Sequence, residues 1–330
     1  MQGGDKLIIF IKFLNNKTKR RDTMKKKMLI LLLVSFMILG MNVSIAAQDD
    51  QLTVGVTTVT LRHQFFIDID EGIKEAAAEH GVELFTNDPN VNAQEQVSAI
   101  EDYMVMGVDG LIVIGTDPAA IVPAVNEAAE QMPIVTIDMK LETDKVDSFV
   151  GTLNEDAGEQ LGQYTRKYIE NELDGNAKVA IVSWLESNIQ QQRVAGFEKA
   201  LEGMGNVEIL QPQPGYDREE SMNTVENILQ SNPDVDIIYS TAENSVLGAK
   251  SALESARAEG VKIVGFDLTP EAADGIKDGR ILAMIQQQPK EMGRRALNAL
   301  VEKINGNEIE PLIPVPVLLY DEENVDEFLN

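Results

Sequence analysis

At 330 residues, with 44% apolar and 25% charged side chains, the chain has a globular composition and enough length for two lobes with separate cores. Its formal charge is −26, and about −33 without residues 1–47, which carry nine basic and two acidic residues; such a surface repels nucleic acid and anionic lipid. Cysteine is absent, which excludes disulfides and a lipid-anchoring cysteine. The acids are spread along the chain, a pattern of surface adaptation to salt rather than of an acidic recognition patch.

The N-terminus reads as an address. Met24-Lys25-Lys26-Lys27 precedes an apolar run from Met28 to Leu39, and Ser44-Ile45-Ala46-Ala47 follows. Basic, apolar, then small-x-small is the order of a secretory signal peptide, and the apolar run is short for a membrane span. Cleavage is expected near Ala46 or Ala47, leaving a mature domain from about Gln48. Residues 1–23 precede a methionine that would itself start a normal signal, and are read as an overextended start. The expectation is a soluble periplasmic protein, neither a lipoprotein nor membrane-anchored.

In chain order, Leu52–Thr57 is an apolar strand, followed by a loop and a helix to about His80, with Ile69, Ile73, Ala76 and Ala77 at helical spacing and Gly81 as its stop. His80 is expected to cap near that helix's C-terminal dipole. Val82–Phe85 is a strand, Ala93–Met106 a helix, and Gly110–Ile114 a strand. Asp117-Pro118 caps a helix to about Gln131, and a strand ends at Asp138. Ser148–Gly151 is a weaker strand, and Asn154 is expected to cap a helix to about Asn171.

After Asp174-Gly175-Asn176 the pattern restarts. Strands are expected at Lys178–Ser183, Val207–Leu210, Asp236–Ser240 and Lys262–Asp267, with helices at Gln190–Glu202, Arg218–Gln230 and Glu243–Glu259 between them. A short helix Pro270–Lys277, extended Ile281–Ile285, a helix Pro289–Asn305, extended Pro314–Leu319 and a turn of helix at Val325–Phe328 finish the chain. Alternating strands and helices with short loops make an α/β protein with parallel sheets covered on both faces. Two strands end alike, Pro133-Ile134-Val135-Thr136-Ile137-Asp138 and Ile263-Val264-Gly265-Phe266-Asp267. Open α/β sheets bind ligands at that end of their strands.

Several short stretches together carry a resemblance: Phe65-Phe66, Thr136–Asp138, Arg193-x-x-Gly196-Phe197, Tyr216-Asp217-Arg218, Leu247-Gly248-Ala249, Val264-Gly265-Phe266-Asp267-x-Thr269-Pro270 and Gln287-x-Pro289. From about Gln51 onward the chain resembles the periplasmic sugar-binding proteins of ABC importers of the ribose-binding type, which share their fold with lactose-repressor-like effector domains. The resemblance implies two doubly wound parallel-sheet lobes joined by a three-strand hinge, with ligand in the interlobe cleft. Crossings are implied near Thr152–Asn154, Gln286–Gln288 and Val315–Val317. Lobe one would then be residues 48–153 with 288–315, and lobe two 154–287 with 316–330.

A sugar or polyol presents many hydroxyls and one or two C–H faces, so its site needs aromatic planes and groups that accept or donate in pairs. The resemblance places Phe65 and Phe66 as stacking rings on the first lobe and Tyr216 on the second. Asp138 and Asp267 are the expected hydroxyl acceptors. Either Asp could instead cap a helix, but Thr269 already stands where the cap before Pro270 is wanted. Gln287 matches a ligand-contacting hinge glutamine. Departures from the ribose binders fall at His63, Met139, Gln191 and Ala242, where the family carries Asn, Arg, Arg and Asn; Arg193 keeps the second cation of its helix. All five are candidate cleft residues, and the losses argue against ribose itself. Trp184, the one tryptophan, follows a second-lobe strand and is either a further stacking surface or ordinary packing. His63 has no Cys or second His nearby to make a metal site, and no cofactor is implied.

The expected function is capture of a small sugar or polyol and its delivery, by hinge closure, to the membrane subunits of an ABC importer, with the protein acting as a monomer that binds no nucleic acid. A chemotaxis or sensor receptor would use the same cleft. A secreted carbohydrate-active enzyme is the third reading, because the Asp pair could imitate a glycosidase dyad. No Gly-x-Ser-x-Gly elbow, Walker loop or strand-bound Gly-x-Gly-x-x-Gly supports an enzyme.

Overall fold

A computed structural model describes residues 51–329 of the chain; the expected signal sequence and overextended start lie outside them. The first half runs β1 (Thr53–Thr57), α1 (Gln64–His80), β2 (Glu83–Asn87), α2 (Ala93–Met106), β3 (Gly110–Val113), α3 (Pro118–Ala128), β4 (Ile134–Ile137) and β5 (Ser148–Gly151). The second runs α4 (Asn154–Glu172), β6 (Ala177–Ser183), α5 (Asn188–Leu201), β7 (Val207–Ile209), β8 (Gln213–Pro214), α6 (Arg218–Ser231), β9 (Ile237–Ser240), α7 (Glu243–Ala256), β10 (Lys262–Phe266), α8 (Pro270–Lys277) and β11 (Ile281–Gln286). It ends with α9 (Pro289–Ile304), β12 (Leu312–Pro314), β13 (Leu318–Asp321) and α10 (Val325–Leu329). None of these helices is long and apolar enough to cross a membrane.

The strands form two sheets. One has the order β12-β5-β4-β3-β1-β2, the other β13-β11-β10-β9-β6-β7, with β8 also pairing with β6. Omitting β12 and β13, each sheet repeats one winding, in which the second strand lies outside the first and the third, fourth and fifth follow on its other side. The chain crosses between the sheets three times: from β5 into α4, from β11 into α9, and from β12 to β13. The last crossing explains the one antiparallel pairing, β13 against β11. Leaving the carboxyl end of β12 and entering the second sheet at the same edge, the chain must run away from that edge. The expected extended stretch Pro314–Leu319 is therefore two strands, parted where Val315–Val317 crosses.

Side-chain alternation assigns a core to each sheet face. On β3, Leu111 and Val113 pack with Ile100, Ile121 and Val125 of α2 and α3, while Ile112 packs with Ile69, Ile73 and Leu297 of α1 and α9. On the second sheet, Ile237 and Tyr239 meet Phe197 and Leu161 of α5 and α4, whereas Ile238 meets Val225, Leu253 and Ile276 of α6, α7 and α8.

Helix ends differ from expectation at α3, which stops at Ala128 rather than at about Gln131, at α4 and at α7. Asn154 does not cap α4: Leu153 holds the cap position without a side-chain bond, and the Asn154 side chain is engaged elsewhere. The expected end of α7 at Glu259 falls at Ala256, because Arg257 adopts a left-handed conformation (φ 55°) and the Ala258 N–H bonds back to the Leu253 carbonyl. At α1 the Gly81 stop forms as expected (φ 68°), while His80, expected to cap there, pairs with Asn298 of α9 at 2.9 Å. The Asp117 and Thr269 caps form as read from the sequence.

Glycine lets the helices next to the crossings touch backbone to backbone. A Cβ on Gly158 of α4 would lie 2.1 Å from the Arg193 carbonyl oxygen, and one on Gly196 of α5 would lie 1.9 Å from that of Glu155. These clashes involve main chain, so no side-chain rotation relieves them. Gly196→Ala is expected to destabilise the protein by about 2 kcal/mol or more, read as a lower denaturation midpoint. An unchanged midpoint would show that α4 and α5 can part freely.

Candidate functional site

The expected site residues stand mostly at the carboxyl ends of strands, on the sheet edges where the chain crosses. Asp138 follows β4 and Asp267 follows β10, and both are left-handed, with φ of 65° and 67°. Asp tolerates this region better than most residues, and local hydrogen bonds hold it there. The Asp138 N–H bonds Val150 O of β5 at 3.0 Å; the Asp267 N–H bonds Ile285 O of β11 at 2.7 Å. In both sheets the strand thus ends by turning its last carboxylate out of the ladder while its amide still pairs with the next strand.

The surroundings of the two carboxylates differ. Asp267 accepts from Gln287 Nε2 at 2.9 Å through one oxygen and from Arg193 Nη1 at 3.3 Å through the other. Arg193 is buried, donates to Asn154 Oδ1 (2.9 Å) and to the Thr241 carbonyl (2.8 Å), and its guanidinium carbon lies 4.2 Å from the centre of the Phe266 ring. Asp138 has no side-chain hydrogen bond or ion pair with any described residue. Burial pushes its carboxyl up to about 6; Arg193 opposes that shift and the charge of Asp267 adds to it. Arg193, on α5, and Asp267, just past β10, belong to the second lobe, so the two lobes' acids share one electrostatic environment.

Glu243, the first residue of α7 after β9, is a third acid in this gap. Its carboxyl is raised by burial, lowered by His63 of the other lobe and raised by Asp267. Sequence reading passed over it in favour of Ala242, although it too follows a strand end. Ala242 sits at the N-cap of α7 and offers no polar side chain, its N–H accepted by Ser245 Oγ at 3.2 Å. His63 caps α1, accepting at Nδ1 from the Phe65 N–H at 3.3 Å. Met139 completes the turn about Asp138 through its N–H to Ile137 O at 2.7 Å.

The aromatic candidates form two pairs. Phe65 and Phe66 are half-buried, edge to face at 5.3 Å, and both pack partly on the first-lobe core. Trp184 and Tyr216 are 40% and 61% exposed and meet at 4.9 Å, so Trp184 is a surface ring rather than core packing. Gln191 is exposed, and its amide donates to the Leu185 carbonyl, tying down the loop that carries Trp184. Gln287 is buried at the second crossing, with Oε1 accepting from Thr152 Oγ1 at 2.9 Å and Nε2 engaged with Asp267.

Two surface hollows lie away from these residues, one around Lys178 at the opposite edge of the second sheet and one between β8 and α6. Neither is lined by any expected site residue. Among the described residues no group of three or more His, Asp or Glu is placed to hold a metal ion.

A family model described as a periplasmic binding protein domain matches residues 54–308. The ribose import binding protein of Bacillus subtilis (strain 168) is 30% identical over 271 residues, covering 82% of this chain and 87% of that protein. Among solved structures, a glucose-galactose binding protein from Geobacillus stearothermophilus is 28% identical with a TM-score of 0.75, covering 83% of this chain and 99% of that one. An ABC transporter solute binding protein from Bacillus halodurans C-125 with bound myo-inositol is 26% identical with a TM-score of 0.75, covering 84% and 97%.

The Asp138 carboxyl sets a pH dependence. Its folded value of about 6 lies above the ordinary 3.8, so the folded protein holds a proton that the unfolded chain has already released. The stabilising contribution is full below the unfolded value and is lost as pH rises through the folded one, so stability falls from about pH 4 to about pH 6. At ~1.4 kcal/mol per pKa unit the loss is at most about 3 kcal/mol. Asp138→Asn is expected to flatten this part of the stability–pH curve of the ligand-free protein. Identical slopes in parent and variant, measured by urea unfolding at pH 4.5, 5.5 and 7, would contradict the assignment.

Proposed function

This chain belongs to the periplasmic binding protein domain family, and on that premise we propose that it captures a small sugar or polyol between its lobes and delivers it to the membrane subunits of an ABC importer. The observation that carries the proposal is the matched pair of left-handed, strand-end carboxylates, Asp138 and Asp267, one from each sheet, whose charges act on one another. A carboxylate accepts from two hydroxyls at once, and such charge-assisted bonds are strong. Asp267 keeps lone pairs beyond those bound by Arg193 and Gln287, and Asp138 keeps all of its own. Phe65, Phe66, Trp184 and Tyr216 offer planes for the C–H faces of a ring or chain.

Binding and closure follow from this layout. Ligand settles first on the pre-ordered second lobe, at Asp267 and the Trp184–Tyr216 pair, and rotation about the three crossings brings Asp138 and the phenylalanines onto it. Closure is favoured only by the extra contacts made in the closed state. In this reading His63, Met139, Gln191, Arg193, Ala242 and Glu243 shape which hydroxyls are satisfied, and Gln287 keeps one amide hydrogen for the ligand. The protein is exported, works as a monomer and performs no chemistry on what it binds.

A thermal-shift screen of D-ribose, D-glucose, D-galactose, myo-inositol and linear polyols is expected to raise the melting temperature for at least one compound, by mass action on the folded state. No shift with any of them, or conversion of a bound sugar to product, would contradict the reading. For a compound that binds, Asp267→Ala is expected to weaken calorimetric affinity by about 100-fold or more, since it removes an acceptor and leaves Arg193 buried without its counter-charge. Undiminished affinity would place the site elsewhere.

A further inference from the structure

Five side chains at the crossings close a circuit of hydrogen bonds. Thr152 Oγ1 donates to Gln287 Oε1 (2.9 Å), and Gln287 Nε2 donates to Asp267 Oδ1 (2.9 Å). Arg193 Nη1 donates to Asp267 Oδ2 (3.3 Å) and its Nε to Asn154 Oδ1 (2.9 Å). Asn154 Nδ2 returns to the carbonyl of Thr152 (3.3 Å). Thr152 and Asn154 flank the turn from β5 into α4, and Gln287 lies between β11 and α9, so the circuit ties two of the three crossings together.

Burial is uneven around it. Thr152, Asn154, Arg193 and Gln287 are each at most 5% exposed, while the Asp267 side chain is 24% exposed and faces the gap. We infer that Thr152 and Asn154 are positioning residues: without touching ligand, they hold Asp267 in its ligand-ready orientation and couple that carboxylate to the backbone of the hinge. The inference rests on the reading of the gap as a ligand site.

The physical reason is that no member can leave the circuit cheaply. A rotation about residues 152–154 moves Thr152 relative to Gln287 and relative to Asn154, which is itself held to Arg193. Either break leaves a buried polar group unpaired. The circuit therefore favours one set of crossing torsions, and a group bound to Asp267 adds to or subtracts from that preference. α4 and α5 are locked at Gly158 and Gly196, so Asn154 and Arg193 move as one body, and the flexible step falls at Thr152–Gln287.

The chain lacks cysteine, so one cysteine per lobe, Lys140→Cys and Glu219→Cys, both at exposed positions, gives a clean spin-label pair. Pulsed dipolar spectroscopy on the ligand-free protein would compare Thr152 with Thr152→Val and Thr152→Ser. Thr152→Val keeps the volume and removes the donor; it is expected to broaden or shift the interlobe distance distribution, and Thr152→Ser to restore it. For whichever of D-ribose, D-glucose, D-galactose or myo-inositol binds the parent, Thr152→Val should weaken affinity by about three- to tenfold. A distribution in Thr152→Val identical to the parent's overturns the inference. Should Thr152→Val fail to fold, Asn154→Ala is judged by the same distribution. If none of the four compounds binds the parent, the proposed function fails, while the ligand-free comparison still decides whether the circuit governs the hinge.

Discussion

A guanidinium buried at the edge of a parallel sheet must be neutralised where it stands, and most of the site is built around that requirement at Arg193. Removing an ion from water costs several kcal/mol, and the cost is recovered only through close partners. Asp267, Asn154, the Thr241 carbonyl and the face of Phe266 are those partners. Asp267 reaches its place because the chain turns left-handed straight after β10, and Asn154 reaches its own because α4 and α5 meet at two glycines. An ordinary strand end is thereby turned into a fixed acceptor pointing into the gap.

The two lobes are copies in winding but not in electrostatics. Each ends its fourth strand with a left-handed Asp whose amide pairs with the fifth. The second lobe supplies its Asp with a cation and an amide; the first supplies no side-chain partner among the described residues, and the Asp138 carboxyl is pushed up to about 6. One wall is thus ordered before ligand arrives, and the other holds an acceptor whose hydrogen-bonding capacity is unspent. On the proposed function, such an arrangement favours sequential engagement, since Asp138 would gain most from hydroxyl donors brought to it already oriented.

Much of this was legible in the sequence because the determinants are local. Apolar runs ending in Asp marked β4 and β10, Asp117-Pro118 and Thr269-Pro270 marked helix starts, and the repeat of strands and helices gave the layered α/β class. What stayed hidden depends on contacts far apart in the chain. Asn154 looks like a cap until Arg193, 39 residues away, claims its side chain. The α7 end at Ala256 depends on a left-handed Arg257, a conformation no composition rule assigns to arginine. The antiparallel β13 follows from the route of the third crossing, and Glu243 from the way the opposite lobe brings His63 near it. Trp184 was open to two readings because its exposure depends on Tyr216 and on the loop held by Gln191.

The central claim is that carboxylates from both lobes engage one small hydroxylated molecule. A crystal structure of the protein with the tightest-binding compound of the sugar and polyol series tests it most directly. The account predicts a single molecule with hydroxyls within about 3 Å of both the Asp138 and Asp267 carboxylates, flanked by rings of Phe65 or Phe66 and of Trp184 or Tyr216. A compound bound to one lobe alone in a closed protein, or lodged in the hollow near Lys178, would contradict it.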